Sequence, residues 1–163
     1  GYKAFFAGDE VKIYRRSDLS ELKDIYTVES TVDDIDNKTV KVKFKEALPP
    51  LRPNQFVFEN ITYNPELTIS GCTFNAIPTR AILCTTDRPS KIFDNKFKNI
   101  NMPDIYISCD CNHWYESGPC RNLEIFNNIF SKKDSVKIEP ISVNKPVKDV
   151  HRNIKIYDNK IGE

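Results

Sequence analysis

One eight-residue template recurs four times between residues 67 and 161, and it restricts the possible folds more than any other feature of the sequence. In each copy an aliphatic residue is followed by Asn or Cys three positions later and by Phe or Ile five positions later. The aliphatic positions, which are 23, 33 and 31 residues apart, are Ile69, Ile92, Ile125 and Ile156. The shortest spacing is the bare coil, and the longer ones contain insertions. A repeat of this length predicts a solenoid.

The kind of solenoid follows from the residues at the repeated positions. A 23-residue period with β-branched residues and Asn at a fixed corner is typical of a parallel β-helix, whose coils are stacked about 4.8 Å apart. Asn tolerates a left-handed bend, and stacked Asn amides hydrogen-bond to one another. A leucine-rich repeat would need Leu at several fixed positions and a helical return, which the template lacks. We therefore predict an all-β chain in which residues 51–163 form a right-handed parallel β-helix.

The first 50 residues follow a different pattern. Apolar and polar residues alternate in residues 11–14, 26–32 and 40–44, which predicts half-buried strands, and the Asp/Asn-rich residues 33–38 predict a hairpin turn. Residues 47–53 contain three prolines, which marks a boundary. We expect a small antiparallel β-barrel or sheet over residues 1–50. We also expect this domain, the proline segment or a second copy of the chain to cover the open β-helix end near residues 54–63.

Composition excludes several functional classes. The net charge is +1, from 24 basic and 23 acidic side chains, and no basic stripe alternates with aromatic residues, so nucleic acid is not an expected partner. The apolar runs are short and interrupted by charge, so no membrane span is expected. Five cysteines, an odd number in a chain that does not need disulfides, are expected to be mostly buried thiols. His151 precedes the last copy of the repeated template and has no matching residue in the other copies, so it is expected at the surface.

A second strand repeats at the same offset. Residues 80–87 align with residues 103–110, which places Ile82 under Ile105 and Asp87 directly beneath Asp110. The Cα atoms of two aspartates stacked in this way are about 4.8 Å apart. Two carboxyl groups so close together suit a glycosidase, and repulsion between their like charges would raise the pKa of one of them, as a general acid requires. Alternatively, both aspartates end a strand and cap the next turn.

The longest insertion, residues 111–119, follows Asp110 directly. It contains Trp114, the only tryptophan of the chain, followed by Tyr115 and Glu116. Carbohydrate sites place an aromatic face against a pyranose and carboxylates or amides against its hydroxyls. A rival interpretation is a zinc site, because thiolate and imidazole are zinc ligands. Its ligands would be Cys109, Cys111 and His113, with Cys84 or Cys120 as the fourth. Cysteine is more often small core filler, so no metal is expected.

Several segments resemble glycoside hydrolase family 110. The most specific is the run ISCDCNHWYESGP at residues 107–119, followed by CRNLEIFNN at residues 120–128, and residues 80–86 and 4–11 are also similar to family segments. The resemblance implies a β-helix interrupted by a small β-barrel, cofactor-free inverting hydrolysis of terminal α-1,3-linked galactose, and a secreted or periplasmic bacterial protein. Combined with the residue patterns, it assigns Asp110 and Asp87 as catalytic carboxylates. It assigns Trp114, Tyr115, Glu116 and Arg80 to substrate binding.

The chain departs from the family pattern in two ways. Family members usually carry two successive aspartates where this chain has Cys109-Asp110, so a thiol replaces one expected carboxylate. The family also has an acidic Asp-Asp stretch upstream of the barrel, which is not in this sequence. The chain is therefore expected to be a downstream fragment or a divergent member. The alternative function is a non-catalytic carbohydrate-binding or structural β-helix module.

Overall fold

The computed structural model describes residues 4–116, 118–143 and 149–162. Within those residues the protein is all-β, with fifteen strands and no helix, and therefore no helix that could cross a membrane. The chain divides into two compact units, Gly1–Asn64 and Pro65–Glu163. The strands of the first unit are β1 (Glu10–Arg15), β2 (Tyr26–Asp34), β3 (Thr39–Phe44) and β4 (Phe56–Asn60).

The first unit is a four-stranded antiparallel sheet in the order β3-β2-β1-β4. The alternation in the sequence places Val11, Ile13 and Val28 in its core, where all three are fully buried. A register shift between Val28 and Ser30 bends the β2–β3 hairpin. The predicted antiparallel sheet is confirmed.

The division between the units falls later than the sequence pattern predicts. Strand β4 follows the proline segment and pairs with β1 from Val11↔Asn60 to Arg15↔Phe56. The prolines therefore lie in a loop within the first unit, between β3 and β4, and the division falls after Asn64 rather than after residue 50. Within residues 54–63, the segment Phe56–Asn60 therefore forms a strand of this antiparallel sheet.

Among the described residues, the strands of the second unit pair with one another only in parallel. Its three sheets have the strand orders β13-β10-β7, β14-β11-β8-β5 and β15-β12-β9-β6, and the chain visits the sheets in turn. This arrangement of stacked parallel sheets is compatible with a parallel β-helix. The strands are β5 (Thr68–Ser70), β6 (Thr73–Ile77), β7 (Ile82–Cys84), β8 (Ser90–Phe93), β9 (Lys96–Ile100), β10 (Ile105–Asp110), β11 (Arg121–Phe126), β12 (Ile129–Phe130), β13 (Val136–Ile141), β14 (Arg152–Tyr157) and β15 (Lys160–Ile161).

The register of these sheets confirms the predicted alignment of the template. Ile92 pairs with both Ile69 and Ile125, and Ile125 pairs in turn with Ile156. Ile92 and Ile125 are fully buried in one apolar core. The aromatic position of the template forms a stack in that core, with ring centroids 5.0 Å apart for Phe74–Phe97 and 5.4 Å apart for Phe97–Phe130.

A column of asparagines joins successive copies of the template at the predicted corner. The Oδ1 atom of Asn128 accepts the Asn95 backbone N–H at 3.0 Å, and the Oδ1 atom of Asn159 accepts the Asn128 backbone N–H at 2.9 Å. The left-handed bend falls one residue earlier than expected. It lies at Gly71, Asp94, Asn127 and Asp158, with φ values of 65°, 54°, 53° and 53°. The asparagine of the template therefore serves as a hydrogen-bonding group between coils, and the residue before it makes the turn.

Candidate functional site

Asp110 ends β10 and lies at the root of the loop formed by residues 111–119. The carboxyl group is buried, with the residue 2% exposed. Its Oδ1 atom accepts the backbone N–H groups of Asn112 at 2.7 Å and His113 at 2.8 Å, which caps the first turn of the loop. The Oδ2 atom is buried and has no hydrogen-bond partner in the described part of the chain. One oxygen of Asp110 therefore holds the loop, and the other is buried without a hydrogen-bond partner among the described residues.

The loop returns to β10 at Glu116. The backbone N–H of Asp110 donates to the Glu116 carbonyl at 3.3 Å, and the two residues form an isolated antiparallel bridge. The Glu116 carboxylate forms an ion pair with the Arg80 guanidinium at 3.7 Å. Two of the predicted ligand-binding residues, Glu116 and Arg80, are thus brought together next to Asp110. Ser117, in the same sequence run, lies outside the described residues.

The two predicted aromatic ligands are on the outside of the loop. Trp114 is 79% exposed and Tyr115 is 61% exposed, and Tyr115 has a left-handed φ of 52°. An aromatic side chain with this exposure is not packed as core, so it has an open ring surface for contact with a ligand. The loop thus combines a buried carboxylate at its root with exposed aromatic rings at its tip.

Asp87 lies near the start of β11. The pairing of β7 with β10 runs from Ile82↔Ile105 to Cys84↔Ile107, which confirms the 23-residue offset as far as Cys84. Beyond that point the Thr86 carbonyl accepts the Arg121 backbone N–H at 3.2 Å. The Cys84 thiol, burial and the charge of Asp87 all raise the pKa of Cys120, so Asp87 is within electrostatic reach of that thiol. A stack of Asp87 beneath Asp110 stays a prediction.

A polar cluster that the sequence did not indicate lies beside Arg80. The Tyr106 hydroxyl donates to Glu139 at 2.7 Å, and the Lys137 ammonium pairs with the same carboxylate at 2.8 Å. The Arg80 guanidinium lies 5.9 Å from the Tyr106 ring centroid. Burial and the Glu139 carboxylate raise the pKa of Tyr106. Strand β13, which carries Lys137 and Glu139, contains no copy of the template, so the sequence gave no sign of this cluster. The cluster becomes visible only when β13 pairs with β10, which places Lys137 opposite Tyr106 and Glu139 opposite Ser108.

The interior behind Asp110 contains a cluster of thiols around His151. The Sγ atoms of Cys84 and Cys120 are 3.7 Å apart, and the Cys109 Sγ atom is 3.9 Å from the His151 Nε2 atom. The Cys120 backbone N–H donates to the His151 Nδ1 atom at 3.0 Å, so the imidazole is neutral and carries its proton on Nε2. Burial is the main cause that lowers the pKa of His151 to about 4. His151 is therefore half-buried rather than fully at the surface as expected, because its imidazole accepts a bond from the corner that leads into β11.

The residues of the rival zinc interpretation do not form a metal-binding group in the described part of the chain. The side chain of Cys109 contacts His151, whereas His113 is exposed with its Nε2 atom 3.2 Å from the Asn112 amide. Across residues 4–116, 118–143 and 149–162, no group of three or more His, Cys, Asp or Glu side chains is arranged to hold a metal ion. Four of the five cysteines are buried and Cys72 is exposed, as the sequence predicts for small core side chains.

Comparison with known proteins identifies relatives along nearly the whole chain. No family model matches the chain. "Alpha-1,3-galactosidase A" of Streptomyces avermitilis is 35% identical over 170 residues, which cover 98% of this chain and 27% of that protein. The protein of the same name from Bacteroides thetaiotaomicron is 32% identical over 162 residues, covering 98% of this chain and 28% of the relative. The chain belongs to the α-1,3-galactosidase family.

A third member of the α-1,3-galactosidase family, from Peterkaempfera griseoplana, is 43% identical over 128 residues, 75% of this chain and 18% of that protein. The chain therefore spans between about a fifth and somewhat more than a quarter of the relatives' lengths. The resemblance predicted from the Trp-Tyr-Glu-Ser-Gly-Pro run is confirmed. Cys109, where the resemblance predicts an aspartate in the family, is 1% exposed, and its Sγ atom lies 3.9 Å from the His151 Nε2 atom.

Proposed function

We propose that this chain supplies one wall of the active site of an exo-α-1,3-galactosidase that acts by inverting hydrolysis. The observation that carries the proposal is Asp110, a buried carboxylate with one oxygen fixed by the loop backbone and the other without a partner in the described residues. Similarity to proteins named α-1,3-galactosidase supports the substrate class. The substrate is a glycan that ends in α-1,3-linked galactose, and no cofactor is needed.

Inverting hydrolysis uses two carboxyl groups. One protonates the leaving oxygen, and the other activates a water on the opposite face of the sugar, with about 6.5–9.5 Å between them. We assign Asp110 and Asp87 to this pair. The Cys109 thiol cannot act as the same base, so the second carboxylate has to come from Asp87 or from another part of the protein. Trp114 and Tyr115 provide the ring surface for the sugar, and Glu116 and Arg80 bind its hydroxyls.

A test of the proposal compares two isosteric variants in a protein that contains this chain. The assay follows galactose release from galactosyl-α-1,3-galactose by NMR, with β-galactose expected as the first anomer. Asp110→Asn is expected to lower kcat by about 100-fold or more, since general acid–base groups contribute that much. Asp134→Asn changes an exposed turn residue and is the matched control. Full activity of Asp110→Asn, or α-galactose as the first product, would refute the assignment.

A non-catalytic carbohydrate-binding module is the second candidate. It is favoured by the thiol at Cys109 and by the role of Asp110 in capping the loop. Galactoside binding without any turnover by the protein that contains this chain is the result expected of such a module.

Three properties accompany the proposed function. We assign a right-handed β-helix to the parallel sheets and a barrel-like closure to the antiparallel one, by resemblance to the family. Export to the periplasm or the medium follows from the same resemblance, and cell fractionation tests it. The end strands β5, β6 and β7 each have one unpaired edge in the sheet orders, so self-association through that edge is proposed and is tested by the mass of the particle in solution.

A further inference from the structure

An open groove of about 390 Å³ lies on the sheet β14-β11-β8-β5 and is lined by residues from all four strands. None of the residues assigned above to the candidate site lines it. One of these strands, β11, begins at Arg121, directly after the loop of residues 111–119. The loop and the groove are therefore connected through β11. Its volume is within the range of small-ligand sites.

The charges in the groove balance. Its lining has two ammonium groups, Lys91 and Lys155, and two carboxylates, Glu66 and Glu124. Lys155 pairs with Glu124 at 3.0 Å, and the hydrogen bond from Lys155, together with the charges of Lys155 and Lys91, lowers the pKa of Glu124. A strongly charged ligand therefore gains no net attraction from the groove, whereas a neutral ligand finds both donors and acceptors.

Two asparagines fix the geometry of further polar groups. The Asn153 Nδ2 atom donates to the Asn122 Oδ1 atom at 2.7 Å, and the two residues share a left-handed backbone, with φ values of 54° and 55°. This bond uses one donor of Asn153 and leaves the amide N–H groups of Asn122 and the amide oxygen of Asn153 for a ligand. The two amides come from adjacent strands, about 4.8 Å apart.

The rest of the lining is partly apolar. Leu67 and Pro89 contribute to it, beside the polar groups. A pyranose has hydroxyls around its rim and an apolar C–H face, so it matches a neutral groove with amides and an apolar part. We propose that this groove is a second binding site, distinct from the Asp110 loop, for a neutral saccharide. The inference rests on the proposed function only for the choice of galactoside as the first probe.

The test is a titration of the ¹⁵N-labelled chain with galactosyl-α-1,3-galactose up to 50 mM. The side-chain amides of Asn122 and Asn153 are expected to shift. Asn153→Gly removes the amide but keeps the left-handed backbone without strain, so it is expected to weaken binding at least fivefold. The matched control is Asn99→Gly, since Asn99 has the same backbone conformation (φ 51°) and the same bond to a stacked Asn, at 3.1 Å to Asn75.

The outcomes separate this inference from the proposed function. Shifts at Asn122 and Asn153, together with no turnover by the protein that contains this chain, would support the groove and refute the hydrolase. Binding that Asp110→Asn abolishes and Asn153→Gly leaves unchanged would refute the groove and favour the loop. No shift at either amide at 50 mM, equal weakening by Asn99→Gly, or tenfold tighter binding of a galacturonate disaccharide would overturn the neutral saccharide site.

Discussion

Replacing Asn128 by Ala is expected to destabilise the second unit more than any exposed substitution. Asn128 is fully buried, and its side-chain amide makes five hydrogen bonds. The Asn128 Oδ1 atom accepts the Asn95 backbone N–H at 3.0 Å, and the Asn128 Nδ2 atom donates to the Ile92 carbonyl at 3.0 Å. Truncation of Asn128 to Ala removes both bonds. A buried polar group left unsatisfied costs about 1–3 kcal/mol, so the two together lower the free energy of unfolding by about 2–6 kcal/mol. That is a large fraction of the ~5–15 kcal/mol typical of a folded protein.

Urea unfolding followed by far-UV circular dichroism measures this change. The matched control is Asn75→Ala, which removes an exposed amide that only accepts one bond from Asn99 at 3.1 Å. It is expected to change the free energy of unfolding by less than about 0.5 kcal/mol. A loss below about 1 kcal/mol for Asn128→Ala, or equal losses for both variants, would refute the claim that the asparagine column joins the coils.

Two further predictions concern the interior behind Asp110. The pKa of His151 is lowered from 6.5 to about 4 in the folded chain, so the unfolded chain binds more protons between these values and stability falls as the pH drops from about 6.5 to 4. The contribution of His151 to this pH dependence is up to about 3 kcal/mol and is expected to disappear in His151→Gln. Unfolding curves at several pH values measure it. A slope of the free energy of unfolding against pH that is the same in His151→Gln as in the original chain contradicts the prediction. Reaction of the folded chain with a thiol reagent is expected to modify only Cys72 quickly, whereas the unfolded chain exposes five thiols; rapid modification of a second cysteine in the folded chain disproves it.

The template could be predicted from the sequence because it repeats along the chain. Ile92 and Ile125 pair as expected, since the same side chains must face the same core in successive coils. Strands β4 and β13 have no such repeat. Their positions depend on pairing with β1 and β10, which are distant in sequence, so neither the division after Asn64 nor the Tyr106–Glu139 bond was apparent.

The candidate site was predictable in part. The loop and Asp110 follow from local sequence, whereas the ion pair between Arg80 and Glu116 joins two residues that are distant in sequence. The environment of His151 depends on contacts with Cys120 and Cys109, which are 31 and 42 residues away in the sequence. The residues next to His151 in the sequence do not reveal these contacts, so its burial could not be predicted.

The loop at residues 111–119 is attached to the scaffold at two fixed points. Asp110 pairs with Ile141 on one side, and Arg121 pairs with Arg152 on the other. Ile92 and Ile125 stay in register although 33 residues separate them, ten more than the bare coil of 23. A change of sequence at the exposed positions 113–115 therefore leaves the core intact, whereas Cys111 and Cys120 are buried and have to be kept. This corner is a natural position for exchanging recognition loops, in evolution or in the laboratory, without redesigning the sheets beneath.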